Sequence, residues 1–103
     1  MILMFVKIIK SSELAEGKMK RANVSGKILM LAKIDGKIYC TDDTCTHVGG
    51  PLSQGKLDGN QVICPWHGSR FDVTSGKCKG GPAVKDLNAY KVREKTGFIE
   101  VDV

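Results

Sequence analysis

Histidine is scarce in this chain: there are two in 103 residues, beside one tryptophan and three prolines. Long hydrophobic runs are missing, and no stretch approaches the roughly eighteen apolar residues that a membrane-spanning helix needs. The six apolar residues of the opening MILMFV are broken off by Lys7, have no basic segment before them and lead into the polar SSELAEG, which argues against a secretory signal. A soluble, cytoplasmic protein is therefore expected. No Gly-x-Gly-x-x-Gly follows a strand and there is no room for a βαβ unit, so a nicotinamide or flavin reductase is unsupported. Basic residues outnumber acidic ones by sixteen to eleven, but they are scattered, and the densest segment, Lys18-Met19-Lys20-Arg21, suits the solvated face of a strand. Without a basic run interleaved with aromatics, nucleic acid is not an expected partner. At this length the chain has room for one core, so residues 1–103 are read as one domain.

The apolar residues that are present come in short runs separated by Gly, Asn and Asp. None holds a helical period over three turns, whereas Ile99, Val101 and Val103 alternate with Phe98, Glu100 and Asp102. Asp-Gly in IDGK and LDGN, and Gly97 in EKTGF, accommodate the positive φ values of tight turns and mark hairpins at 27–41, 56–64 and 90–103. The one helical candidate is SSELAEG, a single turn capped by Ser11 or Ser12 and ended by Gly17. The fold class is all-β.

Residues 42–82 differ from their flanks, holding all three prolines, eight of the glycines and few apolar side chains. Such a segment cannot bury a core of its own, and a bound metal centre is the natural way to order it. The division expected is a β base from 1–41 and 83–103, with 42–82 inserted as a small β subdomain.

Each histidine stands beside a cysteine, as Cys45-x-His47 and Cys64-x-x-His67. Thiolate and imidazole are metal-ligand chemistry, and the LDGN turn between the pairs lets two loops converge on a shared site. A structural zinc site would satisfy two cysteines and two histidines. Zinc motifs, however, usually group cysteine with cysteine and histidine with histidine, while here each loop supplies one of each, the distribution of a Rieske [2Fe–2S] centre. Cys40, ending KIYC, and Cys78, in GKCKGG, read as free thiols rather than as a bridge, since a disulfide needs an oxidising compartment.

CTHVGG and CPWHGSRFD resemble the two cluster-binding loops of Rieske proteins, with the spacing of the soluble Rieske-type ferredoxins. The resemblance covers about 43–80, and GPAVKDLNAY after the second loop is compatible with it. It implies an antiparallel β-sandwich or barrel base carrying a cluster-binding subdomain. It also implies one [2Fe–2S] cluster, with Cys45 and Cys64 on the inner iron and His47 and His67 on the outer, near the surface. The membrane-bound respiratory members carry a disulfide between the loops at the positions of Gly50 and Trp66, which this chain cannot form. They also have a serine and a tyrosine that donate hydrogen bonds to a cluster sulfide and a ligand sulfur; Ser69 matches the serine, and Phe71 replaces the tyrosine. One donor kept and one lost implies a potential in the lower half of the roughly −150 to +300 mV Rieske range. Trp66, between two ligands, is expected to shield the cluster from water, and Pro51 and Pro82 to stiffen the covering loops.

The function implied is a one-electron carrier, not an enzyme, moving electrons from a reductase to an acceptor such as a Rieske non-haem iron oxygenase. A self-contained oxygenase needs a second iron held by two more histidines, and none is to spare. The alternatives are a Rieske-like small subunit of a larger oxidoreductase such as nitrite reductase, whose relatives often lack ligands that this chain keeps, and a zinc-stabilised interaction module.

Overall fold

The computed structural model describes residues 4–47 and 49–103, in which eleven strands pair antiparallel into three sheets. In chain order they are β1 (Phe5–Lys10), β2 (Met19–Val24), β3 (Lys27–Ile34), β4 (Lys37–Asp42), β5 (Lys56–Asp58), β6 (Gln61–Ile63), β7 (Arg70–Asp72), β8 (Cys78–Gly80), β9 (Ala89–Tyr90), β10 (Val92–Lys95) and β11 (Phe98–Asp102). The sheets run β1-β11-β10, β2-β3-β4-β9 and β5-β6-β7-β8.

Strand β3 explains how they assemble. Its sequence, KILMLAKI, is apolar on both faces, as a strand must be when neither side meets water. Leu29 and Leu31 point into one core with Val24, Cys40, Ile99 and Val101. Met30, Ala32 and Ile34 point the other way, into a second core with Leu52, Val62, Phe71 and the two cysteines Cys45 and Cys64. The four-stranded sheet β5–β8 thus borrows one wall of its core from β3. Burying a side chain such as Met30 or Phe71 fully contributes about 1.5–3 kcal/mol, so the loops are held by packing as well as by any ligand.

The turns show what drives the pairing. Asp35-Gly36 and Thr96-Gly97 take positive φ at both central positions, as the twist of a tight hairpin requires, and connect β3 to β4 and β10 to β11. The hairpin expected at 56–64 is present, but its turn is Gly59-Asn60, because Asp58 pairs with Gln61. A further hairpin, not marked by Asp-Gly, joins β2 to β3 through Ser25-Gly26, both at positive φ. The segment read as a capped helical turn is a short 3-10 helix, Ser11–Glu13, capped otherwise than expected. Lys10 stands at the N-cap, the Glu13 carboxylate accepts the Lys10 N–H at 3.0 Å, and Ser11 lies inside the helix with its hydroxyl buried and without a partner among the described residues. Gly17 lies four residues beyond the end of the turn, at φ +74°, and its N–H donates to the Lys33 carbonyl.

Cys40 is buried in the first core, where desolvation, reinforced by the Asp42 carboxylate, pushes its thiol up to about 12. Cys78 packs against the second core, and all four cysteines are free.

Candidate metal centre

The two Cys/His loops are built on one hydrogen-bond plan. In the first, the Cys45 carbonyl accepts the Gly49 N–H at 3.0 Å and the Cys45 N–H donates to the Gly50 carbonyl at 2.9 Å. In the second, the Cys64 carbonyl accepts the Gly68 N–H at 3.1 Å and the Cys64 N–H donates to the Ser69 carbonyl at 2.8 Å. The glycine four residues after each cysteine lies at positive φ, +79° at Gly49 and +77° at Gly68, which lets the chain turn back so tightly. This repeated glycine is visible in the sequence, four residues after each cysteine.

Each loop is anchored to the sheets. Ahead of the first, Asp43 is 2% exposed; its N–H donates to the Ile28 carbonyl, and its carboxylate accepts the Ser53 N–H at 2.7 Å and lies 3.6 Å from Arg21 Nε. A bridge between Thr44 and Pro51 closes that loop. The second loop links β6 to β7, so pairing of Ile63 with Arg70 fixes its two ends. Val48, inside the first loop, lies outside the described residues.

This construction separates the ligand types by depth. Cys45 and Cys64 are each 2% exposed, whereas His47 and His67 are exposed, with ring centroids 5.3 Å apart and planes at 81°. Burial pushes the Cys64 thiol above its ordinary range and the adjacent Cys45 adds to this, while the backbone N–H groups of Trp66 and His67, which face the Cys64 sulfur, pull the other way. Those two N–H groups are donors ready for a thiolate, a feature the sequence did not reveal.

The other expected site residues lie around the thiols. Gly50 is buried against the Cys64 sulfur, and a Cβ there would stand 2.7 Å from Sγ and 3.3 Å from the Trp66 ring. Gly50 and Trp66, the two positions at which the resemblance leaves no disulfide between the loops, are therefore neighbours. Trp66 is 56% exposed, so its ring leans over Gly50 while its outer side faces solvent. Phe71 is fully buried in β7, within the core that contains both cysteines. Ser69 is fully buried, and its Oγ accepts the Ala83 N–H at 3.1 Å. Among the described residues no protein group accepts the Ser69 hydroxyl proton.

A third loop, 81–87, completes the surround and was not assigned to the site from sequence beyond Pro82. Gly81, at φ +84°, passes so close to Ser69 that a Cβ would lie 2.6 Å from its Cα. The Thr46 hydroxyl, between Cys45 and His47, donates to the Lys85 carbonyl at 2.7 Å. Loop 81–87 thereby touches both ligand loops, and only long-range bonds reveal it.

The residues present fit a [2Fe–2S] cluster: two buried thiols, two exposed imidazoles, a glycine leaving space beside a sulfur, and a buried hydroxyl proton awaiting an acceptor. Among the described residues no three His, Cys, Asp or Glu side chains gather as they would about one ion.

The Rieske [2Fe-2S] domain family model matches residues 4–91. The ferredoxin component of the naphthalene 1,2-dioxygenase system of Pseudomonas putida is 33% identical over 103 residues, spanning 100% of this chain and 99% of that protein. A solved complex of reduced oxygenase and oxidized ferredoxin in carbazole 1,9a-dioxygenase contains a chain with a TM-score of 0.90 and 32% identity, covering 98% of this chain and 94% of that one. The ferredoxin of carbazole 1,9a-dioxygenase from Nocardioides aromaticivorans superposes with a TM-score of 0.92 at 26% identity, covering 96% and 97%.

Proposed function

Because the chain belongs to the Rieske [2Fe-2S] domain family, we propose that Cys45, His47, Cys64 and His67 hold its cluster and that it serves as a one-electron carrier. Cys45 and Cys64 bind the inner iron, and His47 and His67 the outer. When bound, the cluster accepts and releases single electrons and does no bond chemistry, so the protein is a ferredoxin and not an enzyme. The observation that carries this reading is the pair of matched loops, which bury both thiols and leave both imidazoles exposed, 5.3 Å apart.

Each surrounding residue has a task in this reading. The backbone N–H groups of Trp66 and His67 and the Ser69 hydroxyl donate to sulfur and stabilise the added negative charge, which raises the potential. Phe71 keeps the inner side apolar and offers no such donor, which places the potential in the lower half of the Rieske range. Trp66 covers one flank against water. Electrons leave through the exposed His47 and His67 edges. Residues 42–82 form the cluster-binding part and 1–41 with 83–103 the base, with 83–87 packing from the base onto the ligand loops and β3 a wall common to both parts.

The electron donor is a reductase and the acceptor a non-haem iron oxygenase, a pairing supported by relatives that are ferredoxin components of dioxygenase systems. The two cysteines that are not ligands, Cys40 and Cys78, form no disulfide, which suits a reducing compartment, and we place the protein in the cytoplasm. Among the described residues no helix is long and apolar enough to cross a membrane. A single zinc ion is disfavoured because each loop supplies one cysteine and one histidine, whereas zinc motifs usually pair like ligand with like. The test is stopped-flow mixing of the reduced protein with an oxidised Rieske oxygenase. Reoxidation of one electron per chain that speeds with oxygenase concentration is expected; a protein that takes up no electron from dithionite contradicts the reading.

A further inference from the structure

A row of hydrogen bonds leads from β8 to the buried Ser69 hydroxyl. The Cys78 thiol lies 3.0 Å from the Ala83 carbonyl oxygen, against 4.0 Å from that of Gly80. Ala83, 4% exposed, donates its N–H to Ser69 Oγ at 3.1 Å. The Cys78 N–H donates in turn to Asp86 Oδ1 at 2.9 Å, so β8 and loop 81–87 clasp each other on both sides of Ala83.

A hydroxyl carries one proton and two lone pairs and rotates freely unless something holds it. Accepting the Ala83 N–H occupies one lone pair and confines the O–H to the remaining directions. The direction of the Ser69 proton therefore depends on where Ala83 is held. Gly81 leaves Ser69 little room to adjust, since its backbone already lies against the Ser69 Cα.

We propose that Cys78 is a positioning residue for Ser69: its thiol donates to the Ala83 carbonyl, fixes the residue whose N–H orients the Ser69 hydroxyl, and so helps to set the reduction potential. This rests on the reading of Ser69 as a donor to the cluster. Cys78 acts only through Ala83 and Ser69. A thiol is a weak donor, so its removal shifts the potential by less than removal of the hydroxyl.

The test is protein-film voltammetry on the cluster-loaded wild type, Cys78→Ala, Cys78→Ser, Ser69→Ala and the double variant Cys78→Ala/Ser69→Ala, with iron content and thermal midpoint recorded for each. Cys78→Ala is expected to lower the potential by a fraction of the Ser69→Ala shift. Cys78→Ser, which keeps a donor, is expected to recover most of that loss. In the Ser69→Ala background, Cys78→Ala is expected to change nothing further. A role confined to packing would lower the thermal midpoint and leave the potential in place. If Cys78→Ala fails to hold its cluster, Cys78→Val, with a fuller side chain and no donor, is read the same way. The proposal is overturned if Ser69→Ala lowers the potential while the Cys78 variants match wild type, or if the two shifts simply add. If Ser69→Ala leaves the potential unmoved, the underlying Ser69 reading falls, and the proposal with it.

Discussion

Replacing Ser69 by alanine isolates one hydrogen bond. The hydroxyl is fully buried, spends one lone pair on the Ala83 N–H and has no protein acceptor for its proton among the described residues. With the cluster as acceptor, that bond strengthens when an electron arrives and the centre becomes negative. Hydrogen bonds to neutral groups contribute about 0.5–1.5 kcal/mol and those to charged groups about 1.5–3, so reduction loses about 1–1.5 kcal/mol of preferential stabilisation when the donor is removed. For a one-electron couple, where about 59 mV is a tenfold change, this lowers the potential by roughly 40–70 mV. The same change leaves the Ala83 N–H without its acceptor, at about 1–3 kcal/mol of stability, so iron content must be shown equal before potentials are compared. Protein-film voltammetry at fixed pH reads the shift. A fully loaded Ser69→Ala protein with an unchanged potential refutes the reasoning.

Phe71→Tyr offers the opposite perturbation: the ring is fully buried in the core that holds both cysteines, and a hydroxyl finding a ligand sulfur there raises the potential in the same voltammetry. Gly50→Ala places a methyl 2.7 Å from the Cys64 sulfur and against Trp66, and is expected to lower iron content per chain and the thermal midpoint together. Asp72→Ala tests a turn beyond the second loop. The Thr74 hydroxyl, 2.6 Å from the Asp72 carboxylate, is the main reason its carboxyl titrates below the ordinary 3.8, with the Thr74 N–H assisting. A depressed acid contributes stability above its unfolded value and loses it as pH falls through the folded one. Wild type is therefore expected to exceed Asp72→Ala by about 1 kcal/mol at neutral pH, the gap closing in the acid range below 3.8 in denaturant titrations.

Much of the site was legible because ligand chemistry restricts residue types. Two cysteines and two histidines in mixed pairs suit few centres, and the structure buries the thiols and exposes the imidazoles as that chemistry asks. Hairpins at Asp35-Gly36 and Thr96-Gly97 were legible because glycine at positive φ is a local property. Loop 81–87 was not, since its ties to Ser69 and Thr46 span 14 and 39 residues and run largely through backbone atoms that carry no sequence signal. The expected serine cap failed for a related reason: Glu13 reaches back to the Lys10 N–H and sets the start of the helix before either serine can. The continuous apolar run of β3 did contain its double-sided burial, but only the assembled sheets show that one face serves the ligand loops.

Electron paramagnetic resonance of the purified protein, before and after dithionite, tests the ligand assignment most directly. The account predicts a silent oxidised sample, a reduced signal with the low average g value of an imidazole-ligated [2Fe–2S] centre, and two irons and two acid-labile sulfides per chain. A reduced signal typical of four thiolate ligands, or a colourless protein holding one zinc per chain, would contradict it.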